Sequence, residues 1–377
     1  MKIMRIFFSA GDVSGDVNTA KIIAALKAKY PNAILRGLGG RQMQEEGFES
    51  DFEFHKFNKM GYWEVLKNLP FFLSAQKKFI QKMREEKPQL LVCVDFSGFN
   101  KKLVVEANKL GIKVLWYIAP MIWVWKREKY IKFFKENPAH IACIFPFEPK
   151  FWQPEIKSVS FVGNPLLENI DFADFPLKKT VNLEKPWTLA LIPGSREQEV
   201  GKILPFMLEC AMILKIISRN GLLRIVVSKM PNLPQKLYER AEELGVETET
   251  DYNKILRRAN FALVASGTAS LQLGLAAVPH IVLYKTSPLT FAIFKIFIKK
   301  KRLVGLSNII AEKEICPEFI QNEMISENVV MALRNIVANP SEYEKITEEL
   351  LKLRTSLGEK KASEEIVKLI EELAFGI

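Results

Sequence analysis

FALVASGTASLQLGLAAVPHIVLY, residues 261–284, is the stretch whose reading decides the fold. It opens as an apolar run of strand length (261–265), passes through a small-residue turn (Ser266, Gly267, Thr268) and continues as a helix over 269–277. A second apolar strand follows Pro279. No charged residue interrupts it, and a helix of this length would cross a bilayer. Yet Ser, Thr, Gln, Gly and Pro recur every few residues, and strand-like pieces flank the middle. The pattern therefore predicts a buried strand, turn and helix. Such a turn gathers backbone N–H groups at the positive end of a helix dipole, which suits an anion.

Working outward, a chain of 377 residues exceeds what one hydrophobic core comfortably serves, so two domains are expected. Hydrophobic residues at 48% beside 26% charged ones describe a globular chain and exclude a disordered one. The four cysteines, Cys93, Cys143, Cys210 and Cys316, are scattered through apolar surroundings and form no C-x-x-C pair. That fits buried thiols in a reducing compartment better than a disulfide frame or a zinc site. Three histidines, His55, His140 and His280, are too few for a His-based metal centre. The N-terminus runs straight from an apolar segment into a Gly-Ser turn, so it reads as a first strand, not a signal peptide. The net charge of +11 favours anionic partners: nucleic acid, phosphorylated small molecules or acidic lipid.

In the first half, residues 3–8 read as a strand, SAGDVSGD (9–16) as a Gly-rich loop, and the chain to about residue 30 as a helix with Ile22, Ile23 and Leu26 inward. Strand, Gly-rich loop and helix open a Rossmann-like half. Gly11 and Gly15 lack the G-x-G-x-x-G spacing, so a plain turn and a ligand loop both stay open. GLGG (37–40) is another close-approach turn after a second strand. Residues 61–86 read as amphipathic helix broken near Pro70. Their apolar members (Trp63, Leu66, Leu69, Phe71, Phe72, Phe79) exceed one core stripe, so they form either a buried helix pair or a lysine-ringed patch that docks on lipid. LLVCV (90–94) is an uninterrupted strand with Asp95 at its carboxyl end, where open parallel sheets hold ligands. Asp95 is a general base or an N-cap. The strand at 114–118 leads into APMIWVW (119–125), whose Trp123 and Trp125 suit a pocket wall or packing, and strands at 141–145 and 159–162 complete this half.

Residues 171–186 are polar, with Pro and Lys, and read as an interdomain connection. The pattern then restarts: strand 188–192, the loop PGSR (193–196) and a long helix, with further strands at 223–227 and 261–264. Two successive strand–loop–helix halves predict twin doubly wound sheets. In the second, PGSR and Ser266–Thr268 both lie at strand-to-helix turns and together offer helix N-termini plus the Arg196 guanidinium, suited to a diphosphate. The alternative is two ordinary turns with an arginine in a surface pair. No Walker A lysine motif or acidic metal cluster appears, which leaves an NTPase without parts. The basic, aromatic stretch 287–302 could lie on anionic lipid through Lys295, Lys299 and Arg302 beside Phe291, Phe294 and Ile298, or fill core. No nucleic-acid module is visible and the basic residues form no continuous stripe, so no nucleic-acid partner is expected.

With these landmarks placed, the chain resembles the lipid-A-disaccharide synthases, glycosyltransferases of the GT-B architecture. The resemblance rests on SAGDVSGD (9–16), GLGG (37–40), MGYWEVL (60–66), VDFSGFN (94–100), YIAPMIWVW (117–125), FPFE (145–148), FVGNP (161–165), LIPGSREQEV (191–200), ASGTASLQ (265–272), YKTSPLTF (284–291) and LSNIIA (306–311). It implies an α/β fold of two Rossmann-like doubly wound domains facing across a cleft. Residues 1–170 would form the acceptor- and membrane-facing domain, with C-terminal helices from about 345–377 packing back on it, and 171–344 the UDP-sugar domain. It implies transfer, with inversion, of the sugar of UDP-2,3-diacylglucosamine to 2,3-diacylglucosamine 1-phosphate (lipid X), giving a β-1′,6-linked disaccharide 1-phosphate and UDP, for lipid A assembly in a Gram-negative bacterium. Neither a cofactor nor a divalent metal is required.

Residue by residue, the resemblance makes Asp95 the catalytic base and gives Asp12 a catalytic part. Substrate contacts fall to Ser14, Gly15, Asp16, Gly194, Ser195, Arg196, Glu199, Ser266, Gly267, Thr268, Gln272 and Asn308. Three positions depart from the family: Asp12 stands where Glu is usual, Gln272 where Glu is common, and Gly98 where a second Asp is frequent. Diacylated substrates imply peripheral attachment to the anionic inner face of the inner membrane, through residues 63–79 and with help from 291–302. A homodimer through the C-terminal segments stays open. The rivals are another GT-B transferase of UDP-GlcNAc type, a UDP-sugar 2-epimerase, and a non-catalytic, nucleotide-regulated membrane-binding protein.

Overall fold

The computed structural model describes residues 3–58, 69–123, 127–170, 175, 181–218, 221–286 and 303–376. Trp63, Leu66, Trp125 and the whole 287–302 segment lie outside them. The chain divides into two units, Met1–Asn169 with Leu357–Ile377, and Ile170–Ser356.

The first unit is built on a parallel sheet of β1 (Arg5–Ala10), β2 (Ile34–Leu38), β3 (Glu49–Ser50), β4 (Leu90–Val94), β5 (Lys113–Tyr117), β6 (His140–Cys143) and β7 (Val159–Phe161). Its spatial order is β3-β2-β1-β4-β5-β6-β7. Both faces are covered, so strands such as β4 read as unbroken apolar runs rather than alternating ones. Side chains still alternate between two cores. Phe7 joins Phe72, Phe79, Phe99 and Leu103 from the helices Leu69–Glu86 and Ser97–Lys109. Ile6 and Phe8 join Ile22, Ile23 and Leu26 of the helix Val13–Lys29, together with Ile366 and Ile370 of the last helix, Ala362–Phe375. Of the helix expected over 61–86, Leu69–Glu86 is described, with Pro70 as its second residue; the part before it lies outside the described residues.

The second unit repeats the plan with β8 (Trp187–Ile192), β9 (Leu223–Ser228), β10 (Glu247–Glu249), β11 (Phe261–Ala265), β12 (His280–Tyr284) and β13 (Glu318–Ile320), ordered β10-β9-β8-β11-β12-β13. Residues 261–284 fold as expected, with the helix Thr268–Leu275 between β11 and β12. In each sheet the strand order reverses once: between β1 and β4 in the first, between β8 and β11 in the second. Ligands of doubly wound sheets sit beyond the carboxyl ends of the strands at that reversal.

The C-terminal boundary falls later than residue 345. The helix Pro340–Ser356 stays with the second unit: Tyr343, Ile346, Leu350 and Leu353 form its buried stripe, Tyr343 Oη donates to the Asn260 carbonyl (2.6 Å) and Arg354 Nε to that of Leu275 (2.7 Å). The chain rejoins the first unit only from Leu357. All four cysteines are buried free thiols. Among the described residues no helix is long and apolar enough to cross a membrane.

Candidate active site

Asp95 is the first residue beyond β4, at the reversal point of the first sheet, and it is exposed. Asp95 and Phe96 are consecutive left-handed residues, with φ of 42° and 43°. For residues with a side chain each such conformation costs about 1–3 kcal/mol and persists only where neighbours impose it. Here several do. The Asp95 N–H donates to the Tyr117 carbonyl at the end of β5 (2.9 Å). The Phe96 ring lies over Gly11, where a Cβ would stand 2.3 Å from it, and meets the rings of Phe57, Phe72 and Phe99. Gly11 is thus required by Phe96, which places the first Gly-rich loop against the turn carrying Asp95. At Gly98 a Cβ would meet nothing within 4 Å.

Within that loop Asp12 is the N-cap of the helix Val13–Lys29, its Oδ1 accepting the Gly15 N–H at 2.7 Å. Asp suits this position better than the longer Glu, which gives the substitution a structural use. Ser14 is exposed at the same end. Asp16, also expected to touch substrate, is turned inward. It is buried, and its carboxylate accepts backbone N–H groups from Gly40 (2.8 Å), Gln42 (3.1 Å) and Met43 (3.2 Å). Asp16 pins the GLGG turn, while burial, the largest influence, raises its pKa against those three donors.

In the second unit the turns at 193–196 and 266–268 follow the adjacent strands β8 and β11. Gly194 has φ 109°, and a Cβ there would stand 2.7 Å from Glu199 Oε2. Ser195 is exposed. Arg196 donates to Glu199 Oε1 at 2.8 Å as a surface pair, with the arginine 70% exposed and therefore available for exchange with another anion. The helix Thr268–Leu275 has no side-chain cap and no acidic residue in its first turn, and Gly267 and Thr268 are exposed. Its positive end thus takes neither a side-chain cap nor an acid from its own first turn. Ser266 Oγ donates to the Val304 carbonyl (2.7 Å), which ties the turn to the segment entering the helix Leu306–Ile310. Gln272 is half-buried one turn further along.

Asn308, expected to touch substrate, is instead fully buried with all its hydrogen-bonding capacity used. Nδ2 donates to the Cys316 carbonyl (2.7 Å) and Glu318 Oε1 (2.8 Å); Oδ1 accepts from the N–H of Ile315 and of Cys316 (both 2.9 Å). Glu318, unremarked in the sequence, also accepts the N–H of Val304 (2.8 Å) and Gly305 (2.9 Å), and burial raises its pKa. Ser270 completes the frame, its Oγ accepting the Leu306 N–H (3.1 Å) and its carbonyl the Ser307 hydroxyl (2.6 Å). Asn308 therefore shapes the shelf under the 266–268 turn. A second missed carboxylate, Glu148, is buried beyond β6, where it accepts Trp123 Nε1–H (3.1 Å) and the N–H of Ile144 and Phe145 (both 3.0 Å), and burial lifts its pKa to about 7.

A family model described as Lipid-A-disaccharide synthetase matches residues 6–371. The chain belongs to the lipid-A-disaccharide synthase family. It is 32% identical to the lipid-A-disaccharide synthase of Myxococcus xanthus (98% of this chain, 97% of that one) and 31% identical to that of Coxiella burnetii (98% of each). It is 33% identical to lipid-A-disaccharide synthase 1 of Legionella pneumophila, covering 97% and 96%. Membership makes the protein a glycosyltransferase of lipid A biosynthesis, acting on a UDP-sugar and a lipid acceptor. Solved structures share the fold: a UDP-GlcNAc 2-epimerase from Neisseria meningitidis bound to UDP-GlcNAc (TM-score 0.60, 14% identity, covering 99% of this chain and 100% of that one) and the S. aureus MnaA–UDP co-structure (0.63, 15%, 98% and 96%). The calicheamicin glycosyltransferase CalG4 does so too (0.58, 11%, 99% and 98%). The fold of this chain, two Rossmann-like units, is thus one found in both glycosyltransferases and epimerases.

Proposed function

We propose that this chain transfers 2,3-diacylglucosamine from UDP-2,3-diacylglucosamine to lipid X, with inversion, releasing UDP and a β-1′,6-linked disaccharide 1-phosphate. The observation that carries the reading is Asp95: an exposed carboxylate on a strained elbow at a strand-order reversal, in a chain matched to the family from residue 6 to 371. Inversion in one displacement needs a base for the acceptor 6-hydroxyl and a stabiliser for charge growing on the departing diphosphate. Asp95 takes the proton, a role worth roughly 10²–10⁴-fold. The amide-lined end of the helix Thr268–Leu275 and the Arg196 guanidinium hold the diphosphate, with dipoles fixed before charge develops there. In this reading Arg196 exchanges Glu199 for the diphosphate, Gln272 meets the ribose, and no divalent ion takes part.

Two acylated substrates call for access to lipid. Leu69 and Leu73 are exposed at the start of the helix Leu69–Glu86, beside residues expected to reach a membrane, and they support peripheral attachment to an anionic inner-membrane surface. The protein remaining in the soluble fraction at every salt concentration would count against attachment. Pairing of two copies through the C-terminal segments belongs to the same reading and is tested by the mass in solution. The decisive experiment is mass spectrometry of the product formed from the UDP-diacylglucosamine donor and lipid X. A disaccharide 1-phosphate that requires both substrates is expected. Conversion of the donor without acceptor would instead indicate an epimerase. Asp95→Ala is expected to lower turnover by at least roughly 10²-fold while donor binding is kept; near-wild-type turnover refutes the assignment.

A further inference from the structure

We propose that Asn100 is the positioning residue for Asp95: its side-chain amide, oriented by Ser9, holds the elbow on which the carboxylate stands. The inference rests on the reading of Asp95 as base. Asn100 is fully buried in the first unit, four residues into the helix Ser97–Lys109, among Phe99, Leu103 and Val104. A buried amide in an apolar stripe must have every polar atom engaged, and what engages this one is specific. Ser9 Oγ donates to Asn100 Oδ1 at 2.6 Å, and the other end of the amide faces carbonyl oxygens, which only accept and so settle that end as Nδ2. Nδ2 then donates to the Asp95 carbonyl at 2.9 Å and the Ser9 carbonyl at 3.2 Å.

The backbone N–H of the same residue donates to the Phe96 carbonyl at 3.0 Å. One residue therefore takes the carbonyls of both left-handed residues, one through its side chain and one through its main chain. Stapling β1 to β4 does not need this amide, because the ladder already pairs Ser9 with Cys93 and Ala10 with Val94. Besides the Ser9 and Val94 carbonyls within the strands, at 3.2 and 3.4 Å, the amide reaches past the ladder's end to Asp95, its shortest contact at 2.9 Å. Without it the Asp95 carbonyl loses its buried donor, and the elbow is free to relax toward ordinary backbone, swinging the carboxylate. Displacement of a reacting group by about 1 Å can cost 10²-fold in rate.

The test is steady-state kinetics with UDP-2,3-diacylglucosamine and lipid X on Asn100→Ala, Ser9→Ala, Asp95→Ala and the double variant Asn100→Ala/Asp95→Ala, each checked by thermal melting and UDP binding. Asn100→Ala is expected to lower kcat by about 10²-fold, with donor KM and UDP affinity within about threefold of wild type, since the nucleotide does not depend on this elbow. Ser9→Ala, which frees the amide without removing it, is expected to lose about tenfold. In the Asp95→Ala background, removing Asn100 is expected to change kcat by less than about twofold, because the group it positions is gone. Losses that multiply in the double variant, or a folded Asn100→Ala with wild-type kcat, overturn the proposal. Should Asn100→Ala fail to fold, Ser9→Ala decides, and wild-type kcat there overturns it equally. Wild-type turnover in Asp95→Ala sinks the base assignment and this proposal together. A crippled Asp95→Ala beside an unaffected Asn100→Ala sinks only this proposal.

Discussion

Asn308 separates ligand contact from scaffold most sharply. Replacing it by Ala leaves the N–H groups of Ile315 and Cys316 without their acceptor, takes the donor from the Cys316 carbonyl and removes one of three donors to Glu318. Each orphaned buried N–H costs about 1–3 kcal/mol. With some relaxation, the total comes to about 3–4 kcal/mol. For a unit of this length each kcal/mol moves the melting midpoint by about 2–4 °C, so Asn308→Ala should melt about 10 °C lower. Asn308→Asp sharpens the argument. It keeps the acceptor for Ile315 and Cys316 but sets a second carboxylate against Glu318 Oε1, now 2.8 Å from Nδ2. Two carboxylates at that distance share a proton, and the pKa of one is strongly raised. Stability linked to a raised carboxyl pKa is present below the ordinary carboxylate range and is lost as pH rises through the raised value. Asn308→Asp should therefore lie closer to wild type at pH 5 than at pH 8, while Asn308→Ala, which only takes one donor from the buried Glu318, recovers less. Scanning calorimetry at the two pH values is the assay. An unshifted midpoint in Asn308→Ala, with only donor KM raised, would refute the scaffold reading and restore Asn308 as a substrate contact.

Arg196→Ala should behave in the opposite way. Its exposed pair with Glu199 is worth at most about 1 kcal/mol, so the midpoint should move by no more than about 2–4 °C. UDP affinity, measured by calorimetric titration, should nonetheless fall about 10-fold or more, the loss of one charge-assisted contact to phosphate. A large stability loss with unchanged UDP affinity would contradict that. For Glu148→Gln, the three groups around the carboxylate are all donors, and the Gln amide can accept on only one side, so a buried N–H or the Trp123 indole is left unmatched at about 1–3 kcal/mol. The native carboxyl, pushed up to about 7 by burial, contributes stability present below its unfolded value and lost as pH rises through about 7, a slope that Gln lacks. The gap in midpoint between wild type and Glu148→Gln should narrow from pH 5.5 to 8.5, and a constant gap would argue against it.

The architecture was legible because its signals are local. The run at 90–94 and the stretch 261–284 carry apolar strands ended by turn residues, and both fold as read. The edge strands β3, β10 and β13 were not legible, since Glu49–Ser50, Glu247–Glu249 and Glu318–Ile320 are short, Glu-bearing, and extended chiefly because a neighbouring strand offers a ladder. The end of the second unit at Ser356 is not legible for a similar reason. Pro340–Ser356 is amphipathic, and an amphipathic stripe says that a helix is buried but not against which unit. Asn100 does leave a signal in the sequence: an amide inside the apolar stripe of Phe99, Leu103, Val104 and Ala107 must be serving some buried carbonyl.

Motif matching recovers polar residues whose type is required without distinguishing what requires them. Asp16, Asn308 and Glu318 are buried and committed to backbone groups, as a residue that holds a turn must be. Asp95, Arg196, Gly267 and Thr268 are exposed at strand-order reversals, as groups that meet a ligand must be. The two sets are joined by short paths. Asn308 and Glu318 fix the segment from Val304 to Leu306, which receives Ser266 and engages Ser270 on either side of the 266–268 turn. Asn100 and Ser9 fix the carbonyl of Asp95 in the same manner. In both units a buried amide or carboxylate with no reason to meet solvent determines where an exposed group points. Substitution in the buried set should therefore change stability and rate together, whereas substitution in the exposed set should change rate or affinity almost alone.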